Sequence, residues 1–566
     1  MKRGILLLVV VAAGVAWFLA LPPRARTLAV DGSVAPRPVR GVFHVHTDRS
    51  DGTGSVEDVA AAAARAGLRF VVLTDHGDAT RAPLRPRYVQ DVLVVDAVEI
   101  STSGGHLVAL GMPAAPYPLG GEARDVVDDV ERLGGMAIAA HPGSERAELR
   151  WTAWDAPIDG LEWLNADSEW RDESAWTLAR ALVTYPGRRP ESIAAMLDRP
   201  EAPLRRWDAL TRRRRVVGVL GADAHARIGL RTLGEPYDNT ARLHVPSYEQ
   251  TFRAFSIVLP DLVLSGRDAE ADTDAVVSAI RGGRVYSVID AVASPGSMSF
   301  TARGPSGPVA AGEAVPITSP VPLRVDVRGA PDARIELLKN GTTVAEGQGG
   351  ALDHLTDEPG VYRAEVYLAG APGTPPVPWI VSNPIYVGVN LTDTPAVAPR
   401  ARPSDTALLY ENGPARDWRI ENSPQAQGAL DVVPGVAGGT QILMRYAIGG
   451  AASASPYAAL VMPAGPELSR YDRLMFTARA DRAMRVSIQL RVPGGTLGER
   501  WQRSVYVDTE ERALTVYFDD LTPVGVTSQR RPRLAAVDSI LFVVDRVNTA
   551  LGTGGQIWID SVRYGR

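Results

Sequence analysis

Apolar and polar positions follow two different patterns along the chain, and the change falls near residue 295. Between residue 40 and about residue 290, short continuous apolar runs alternate with stretches of helical periodicity. Such runs are typical of strands that are covered on both faces, as in a parallel sheet with helices on either side. The first half of the chain is therefore predicted to have a parallel α/β architecture.

The predicted elements of this half begin with a helix whose ends are both marked in the sequence. It starts at the capping-box sequence Ser55-Val56-Glu57-Asp58 and stops before Gly67, a residue suited to the left-handed position after a helix. Strands are predicted, in chain order, at 69–74, 92–98, 106–110, 136–140, 158–164 and 216–220. A helix over 122–133 and helical stretches between 173 and 215 separate them.

The second half reads as all-β. Helical periodicity fades, proline and glycine become frequent, and alternating strands are predicted at 323–327 and 361–367. These indicate a small β-sandwich that ends near Val389. After a proline-rich linker, a second all-β block is predicted from the strands at 485–491, 504–507, 540–544 and 556–560.

The chain is thus predicted to be multidomain, as expected for a length of 566 residues. Its predicted segments are a signal or membrane anchor (1–23), a linker (24–39), an α/β domain (40–292), a small β-sandwich (293–390), a second linker (391–404) and a C-terminal β-domain (405–566).

The N-terminal segment carries an export signal. Lys2 and Arg3 precede an apolar run from Ile5 to Leu21, and two prolines follow it. The run is long for the core of a signal peptide and close to the lower limit for a membrane span. We expect an exported protein of bacterial type, periplasmic or extracytoplasmic, that an uncleaved N-terminal transmembrane segment anchors; a cleaved signal peptide is the alternative.

Composition excludes several kinds of chemistry. The chain has no cysteine, so disulfides, thiolate nucleophiles and cysteine-based metal sites are absent. Its net charge of −5 gives no electrostatic case for binding nucleic acid, and no nucleic-acid partner is expected.

The histidines are concentrated where chemistry would be expected. Six of the eight lie at or beside the ends of predicted strands: His44, His46, His76, His106, His141 and His225. His44 and His46 are two residues apart, and so are Asp223 and His225, so each pair shares one face of an extended segment. A single histidine at a strand end is usually structural, as we expect of His244. Six of them, accompanied by Asp51, Glu99 and Asp223, predict a metal cluster of zinc, iron or manganese.

Five ordered motifs then match a known family. The sequences HVHTDRSDG, LTDHGD, EISTSGGHLVALG, AAHPGS and GADAHA, spread over residues 40–290, resemble the successive motifs of the PHP (polymerase and histidinol phosphatase) metal-dependent phosphoesterases. The resemblance is closest to the exported, carbaryl-hydrolase-like branch, whose members also carry a β-domain ending like Ser382-Asn383-Pro384-Ile385-Tyr386.

The resemblance implies a distorted (β/α)7 barrel with two to three divalent transition-metal ions (Zn, Mn or Fe). The first ion would be held by His44, His46, Glu99 and Asp223. Glu99 would bridge to a second ion bound by His106 and His141, and Asp51, His76 and His225 would hold a third. Histidinol phosphatases have histidine near the position of Asp51, which leaves the metal at the third site less defined.

The predicted catalytic residues are Glu99, His141 and Asp75. Ions bridged by Glu99 would lower the pKa of a shared water, so that hydroxide is available near neutral pH, and would stabilise charge in the transition state. Asp75 is predicted to support this cluster by orienting His76.

Three functions follow as hypotheses. The first is hydrolysis of a small-molecule phosphoester by a metal-bridged hydroxide. The second, hydrolysis of a carbamate or carboxylic ester, would use the same ions. The third is a non-catalytic envelope protein that binds glycan, because the C-terminal domain resembles jelly-roll, galactose-binding-like modules at 471–476 and 557–562. A purely structural role for that domain is equally open.

Overall fold

The computed structural model describes residues 2–29, 38–171, 173–229, 242–243, 245–389, 400–436, 438–451, 455–494 and 498–566. The chain divides into two compact units. The first comprises Met1–Gly77, Ala82–Pro113 and Val130–Ala396, and the second comprises Asp78–Arg81, Ala114–Asp129 and Val397–Arg566. His244, residues 30–37 of the first predicted linker and residues 391–399 of the second lie outside the described residues.

The described residues contain these α-helices: α1 Lys2–Ala20, α2 Val56–Arg65, α3 Ala123–Arg132, α4 Ala166–Glu169, α5 Ala175–Thr184, α6 Arg189–Ala194, α7 Glu201–Thr211, α8 Tyr248–Ala254 and α9 Ala269–Arg281. Within the part of the chain that is described, none of these helices is both long enough and apolar enough to cross a membrane. Export and anchoring remain predictions.

Helix α2 has the predicted ends. The Ser55 hydroxyl accepts a hydrogen bond from the Asp58 backbone N–H, and the Asp58 side chain accepts one from the Ser55 N–H, so the capping box is confirmed. Gly67 has φ +75°, the left-handed conformation that stops a helix at low energetic cost for glycine.

The strands up to residue 294 are β1 Arg26–Thr27, β2 Val39–Val45, β3 Phe70–Leu73, β4 Arg87–Val89, β5 Val92–Asp96, β6 Val98–Thr102, β7 Gly105–Leu110, β8 Met136–Ala139, β9 Gly160–Asn165, β10 Val217–Gly221, β11 Ile228–Gly229, β12 Arg242–Leu243, β13 Ser256–Leu259, β14 Tyr286–Val288 and β15 Ala293–Ser294. A five-stranded sheet has the order β10-β9-β8-β7-β6, and a second sheet contains the run β14-β13-β2-β3-β5-β4.

These sheets are mixed, so the prediction of a purely parallel architecture is wrong in part. Strands β2, β3 and β5 pair in parallel, as do β8, β9 and β10, but β6, β7 and β8 are antiparallel neighbours. The physical reason for the first antiparallel pair is the short Thr102–Gly105 turn, in which Gly105 has φ +108°. A parallel neighbour would need a crossover of a dozen or more residues.

Main-chain hydrogen bonds also link the two sheets where their strands end. The His46 N–H donates to the Ala224 carbonyl at 3.0 Å, and the Ala222 N–H donates to the Phe43 carbonyl at 2.9 Å. On the other side, the Glu99 N–H donates to the carbonyl of residue 75 at 3.3 Å. The ends of β2, β3, β6 and β10 are therefore held at one place.

Residues 298–387 form a separate four-stranded sheet and also extend the sheet that contains β2. Their strands are β16 Met298–Gly304, β17 Gly307–Ala310, β18 Ala314–Val315, β19 Val321–Val327, β20 Arg334–Lys339, β21 Thr342–Gly347, β22 Ala351–Thr356, β23 Gly360–Tyr367, β24 Ile380–Ser382 and β25 Ile385–Val387. Four of them form the sheet β17-β16-β19-β22, whereas β24 pairs with β14 and so joins β18, β20, β21, β23 and β25 to the sheet that contains β2. One apolar core runs between the two layers and includes Tyr286, Phe300 and Trp379.

The second unit contains a β-sandwich, as predicted for the C-terminal part. Its strands are β26 Thr406–Tyr410, β27 Arg419–Asn422, β28 Ala426–Pro434, β29 Thr440–Ile448, β30 Tyr457–Pro463, β31 Arg473–Ala480, β32 Met484–Val492, β33 Glu499–Val507, β34 Arg512–Tyr517, β35 Thr522–Pro523, β36 Ser539–Asp545 and β37 Thr553–Gly565. They form the sheets β28-β29-β37-β31-β34, with β26 paired to β37, and β27-β30-β36-β32-β33-β35. Alternate residues, such as Met484, Val486 and Ile488 of β32, face a common apolar core.

The second unit also contains Ala114–Asp129, which the sequence did not assign to it. Arg485 on β32 is buried and donates to Asp129 at 2.7 Å and to the Asp125 carbonyl at 2.8 Å, while Ser504 on β33 donates to the Asp125 carboxylate. The face of the sheet that bears Arg485 and Ser504 is therefore covered by the chain's own segment.

Candidate metal centre

Strand β2 carries two of the predicted ligands to the site. A β-bulge interrupts its pairing with β3 between Phe43 and Val45, and His44 at the bulge has φ +68°. Bulges re-aim side chains locally. His44 and His46 are both fully buried, and their Nε2 atoms lie 3.1 Å apart.

Two carboxylates complete this first group. His44 Nε2 lies 3.3 Å from Glu99 Oε2 and 3.3 Å from Asp223 Oδ1. His46 Nε2 lies 3.2 Å from each of the same two oxygens. Ligands placed 2.0–2.1 Å from a tetrahedral ion are about 3.3 Å apart, so these distances suit such an ion.

Glu99 is the residue that connects this group to a second one. Its Oε1 lies 2.8 Å from His106 Nδ1 and 2.7 Å from His141 Nε2, whereas its Oε2 faces His44 and His46. Glu99 is 1% exposed. One oxygen of Glu99 thus faces His106 and His141, and the other faces His44, His46 and also His76, whose Nδ1 lies 3.3 Å away.

The third group lies around Asp51. Asp51 Oδ2 is 3.2 Å from His225 Nε2, and Asp51 Oδ1 is 3.8 Å from His76 Nε2 and 3.4 Å from His46 Nδ1. The rings of His46 and His225 stack with their centroids 4.2 Å apart. The structure therefore brings all nine predicted metal ligands together. Their donor atoms form four overlapping sets, each within 4.8 Å: His46, Asp51, His76 and His225; His44, Glu99 and His141; His44, His46 and Asp223; and His76, Glu99 and His106. These sets differ from the grouping that the motifs imply, since His106 and His141 fall in different sets.

The backbone is strained at three of these nine positions. Besides His44, the φ angles of His141 and Asp223 are +34° and +44°, in the left-handed region that non-glycine residues seldom adopt. Each such residue costs on the order of 1–3 kcal/mol, and such strain is concentrated at functional sites. The strain supports a functional rather than a structural role for this cluster.

The buried carboxylates of the cluster favour positive charge on the groups next to them. Burial opposes ionisation of Glu99, but the surrounding histidines hold its pKa well below the usual range. Burial would lower the pKa of His46, yet its contacts with Asp223 and Glu99 raise that pKa to about 10. Burial dominates at His76 and lowers its pKa to about 4. A divalent cation at the carboxylates would take over the role of these protons.

His46 Nδ1 is inaccessible to solvent and makes no hydrogen bond of good geometry among the described residues; the polar atom that faces it is Asp51 Oδ1, 3.4 Å away. The set of imidazole and carboxylate donors, with no thiolate, suits zinc, manganese or iron.

Asp75 holds the loop that follows His46, while its predicted role in orienting His76 stays a prediction. It is fully buried, and its carboxylate accepts hydrogen bonds from the Thr47 N–H at 2.8 Å, the Thr47 hydroxyl at 2.7 Å and the Ser50 hydroxyl at 2.6 Å. These bonds hold the loop that leads from His46 to Asp51. Asp75 therefore positions the loop between two groups of the cluster.

Glu162 is a site residue that the sequence analysis missed. It lies within β9 and is fully buried, and its Oε1 is 2.6 Å from His44 Nδ1. Its Oε2 accepts hydrogen bonds from the His141 N–H and the Asn165 amide, each at 2.8 Å. The available signal was a lone acidic residue in the apolar run Gly160-Leu-Glu-Trp-Leu164.

Gly221 and Arg227 were also missed. A Cβ on Gly221 would lie 2.0 Å from Glu162 Oε1, so only glycine lets Glu162 approach. Arg227 donates to Asp51 Oδ2 at 2.7 Å and lines the cavity beside the cluster. Nothing in the sequence around either residue marks these contacts, because both depend on segments far away along the chain.

Comparison with known proteins identifies no family, since no family model matches the chain. An uncharacterized protein of Methanocaldococcus jannaschii is 26% identical over 139 residues, which cover 22% of this chain and 80% of that protein.

Solved structures similar to this chain include carbohydrate-binding modules. A family 11 module of the cellulase Lic26A-Cel5E of Clostridium thermocellum is 18% identical, with a TM-score of 0.25, over 29% of this chain and 95% of the module. A family 11 module from Clostridium thermocellum in complex with a mixed-linked tetrasaccharide is 16% identical, with a TM-score of 0.24, over 28% and 94%. A mannan-recognising module, TmCBM27, is 16% identical, with a TM-score of 0.21, over 29% and 99%.

Proposed function

We propose that this chain is a metal-dependent hydrolase of the PHP type that cleaves small-molecule phosphoesters with two to three divalent transition-metal ions. The observation that carries the proposal is the position of Glu99, whose two oxygens face two separate sets of imidazoles. Structural metal sites normally close around one ion with four ligands. A carboxylate shared between two ligand sets is instead suited to catalysis by neighbouring ions.

The roles of the ligands follow from their positions. In the grouping that the motifs imply, His44, His46, Glu99 and Asp223 would hold one ion, His106 and His141 would share a second with Glu99, and the third would lie among Asp51, His76 and His225. When bound, such ions supply Lewis acidity, which activates water and stabilises negative charge on a phosphoryl or carbonyl oxygen.

The remaining residues act by orientation. Glu162 accepts the Nδ1 proton of His44, which leaves His44 Nε2 with its lone pair directed at Glu99 and Asp223. Asp75 fixes the loop that places Asp51. Arg227, which is paired with Asp51 and lines the adjoining cavity, can contact the anionic group of a substrate.

We extend the proposal to the fold of the catalytic region. Strands β2, β3, β6, β7, β8, β9 and β10 would form the distorted (β/α)7 barrel that the motifs imply. The main-chain hydrogen bonds from His46 to Ala224 and from Glu99 to residue 75 support this, because they join both edge strands of the five-stranded sheet to residues that follow β2 and β3.

A substrate screen tests the function. Phosphomonoesters, phosphodiesters and aryl carbamates are offered to the wild type and to Glu99→Ala in the presence of Mn²⁺ or Zn²⁺. We expect phosphoester hydrolysis by the wild type and a loss of at least about 100-fold in Glu99→Ala, the size of effect that ligands or their partners typically show. Equal hydrolysis rates in the wild type and Glu99→Ala would show that Glu99 does not bridge catalytic ions.

Hydrolysis of carbamates or carboxylic esters is the second candidate. The observation that favours it is the mainly apolar cavity beside Asp223 and His225, which suits an uncharged ester as well as a phosphodiester. The same screen decides between the two candidates, because both use the same ions and only the substrate pocket differs.

We retain glycan binding as a proposal for the second unit alone. The sheet face that bears Arg485 and Ser504 is covered by Ala114–Asp129, so a glycan would have to use the other sheet or the loops. Titration of the full chain with β-glucan and mannan oligosaccharides tests this. Binding that persists in Glu99→Ala would show that it is independent of the metal centre.

A further inference from the structure

A cavity of about 240 Å³ adjoins the metal centre within the first unit. Asp223 and His225 contribute to its lining, so the cavity opens directly onto two of the predicted ligands. Most of the remaining lining is apolar, and its larger side chains include Leu178 of α5, Ile193 of α6 and Phe255, which follows α8. A substrate whose reacting group lies at the cluster would therefore extend into an apolar space.

The charged groups around this cavity are already paired. Arg227 donates to Asp51 at 2.7 Å, and Asp167 is bonded to Arg171 at 2.6 Å and to the Trp170 indole N–H at 2.8 Å. Arg227 is the only lysine or arginine in the described lining. Among the described lining residues, a phosphate would find only this arginine, which is already bonded to Asp51.

Apolar surface continues from the cavity to the outside of the protein. Leu182 of α5 lines the cavity and is nevertheless 59% exposed, and its neighbours Val183 and Trp176 are 57% and 79% exposed. Helix α1 lies against this helix, because the Trp17 indole N–H donates to the Val183 carbonyl at 2.9 Å. Phe18 of α1 is also exposed. Exposed apolar residues grouped in this way mark a surface that contacts an apolar partner.

We propose that the substrate is an amphiphilic ester: its phosphate or carbonyl group lies at the metal centre and its alkyl or aryl group fills the apolar cavity. This rests on the proposed hydrolase function. The cavity volume is just below the usual range of about 300–1,000 Å³ for ligand pockets, so it holds a medium-length chain or a ring rather than a complete lipid.

Binding of alkylphosphonates tests the apolar part without requiring turnover. Methyl-, butyl-, hexyl- and octylphosphonate are titrated calorimetrically into the full chain, both metal-free and loaded with Mn²⁺. Each buried methylene should strengthen binding roughly fourfold until the cavity is full, with an increasingly negative heat-capacity change. Affinities for methyl- and octylphosphonate that agree within about threefold would overturn the proposal.

Two variants locate the binding in this cavity. Leu178→Asn and Met196→Gln place polar groups on its wall, and neither residue is fully buried, so both variants are expected to fold. In each variant, the affinity for alkylphosphonates should increase less with the length of the alkyl chain than it does in the wild type. Leu355→Asn is the matched control, since Leu355 lies on β22 and is 65% exposed. An unchanged slope in both cavity variants would contradict the assignment.

Hydrolysis of alkyl 4-nitrophenyl phosphates of the same chain lengths separates this proposal from the proposed function. If phosphonate binding depends on chain length but no ester is hydrolysed, the hydrolase function fails and the cavity assignment stands. If esters are hydrolysed equally well at every length, only the cavity assignment fails. Presenting the octyl ester in phosphatidylcholine vesicles or free in buffer then distinguishes a membrane source of substrate from a soluble one, according to which form is cleaved faster.

Discussion

The Nδ1 atom of His44 lies 2.6 Å from Oε1 of Glu162, and both side chains are fully buried. A proton on Nδ1 satisfies this contact and would leave Nε2 available for the metal ion that we propose. Glu162 also accepts the His141 N–H, so one carboxylate orients ligands of two groups.

Replacing Glu162 with glutamine is expected to weaken metal binding by about 10–100-fold, the usual effect of removing the partner of a ligating histidine. The amide cannot accept the His44 proton and the His141 N–H as strongly as the carboxylate does. Titration with Zn²⁺ or Mn²⁺ in a competing chelator measures the change. Glu346→Gln, at an exposed position of β21, is the control and should bind metal like the wild type. Equal metal affinities in Glu162→Gln and the control would show that Glu162 does not support metal binding.

Gly221→Ala should impair the same centre without changing any ligand. The added Cβ would lie 2.0 Å from Glu162 Oε1, so the carboxylate must move away from His44. We expect lower metal affinity together with a loss of stability of about 1–3 kcal/mol from overpacking. Gly120→Ala is the control, because the nearest atom to its added Cβ would be 3.7 Å away. A Gly221→Ala protein with wild-type metal affinity would show that Glu162 does not need its present position.

Asp75→Asn tests the loop between His46 and Asp51. Asp75 accepts three hydrogen bonds from Thr47 and Ser50, and asparagine can accept fewer of them. The ion held by Asp51, His76 and His225 should be lost first, which metal analysis after dialysis would detect as about one ion fewer per chain. The exposed Asp78, whose carboxylate bonds to Thr80, provides the control Asp78→Asn. A full metal complement in Asp75→Asn would contradict this role.

The sequence predicted the ligand set because ligands at strand ends leave local signals. His44 and His46 follow an apolar run at a fixed spacing, and Asp223 and His225 repeat that spacing. Glu162 left no comparable signal, since a single acidic residue within a strand acquires its meaning only when β9 lies between β8 and β10 and the Glu162 side chain reaches His44.

The errors in the fold have the same origin. The antiparallel pairing of β6 and β7 depends on a short turn, and an alternation of apolar runs does not distinguish it from a parallel crossover. The pairing of β24 with β14 and the packing of Ala114–Asp129 in the second unit are long-range contacts. The periodicity of apolar residues predicts which face of a helix or strand is buried, but it does not predict which other element packs against that face or pairs with that strand.

A buried ion network in the first unit gives a pH-dependent prediction. Arg363 donates to Asp208 at 3.0 Å and to Glu365, and Arg199 donates to Glu365 at 2.9 Å. Burial would raise the pKa of Glu365, but the charges of Arg363 and Arg199 outweigh it and lower that pKa. Because the folded pKa lies below the unfolded value of about 4.3, ionised Glu365 stabilises the fold above that pH, and the contribution is lost as the pH falls through the folded pKa.

Glu365→Gln should therefore destabilise the protein at pH 7 by about 1.5–3 kcal/mol, the usual contribution of a hydrogen bond to a charged group, because Arg363 keeps Asp208 and Arg199 keeps Glu201 as partners. The difference from the wild type should shrink at pH 3. Guanidinium unfolding at both pH values measures it, with Glu346→Gln as the control. An equal difference at pH 7 and pH 3 would show that the charge of Glu365 is not the stabilising feature.

The most direct test of the metal centre is the metal content of the purified full-length chain, measured by mass spectrometry of the wild type and Glu99→Gln. The wild type should contain two to three transition-metal ions per chain, and Glu99→Gln should contain at least one fewer, because Glu99 faces two groups of ligands. A wild-type chain that binds one ion or none after incubation with Zn²⁺, Mn²⁺ and Fe²⁺ would contradict the cluster and the hydrolase function built on it.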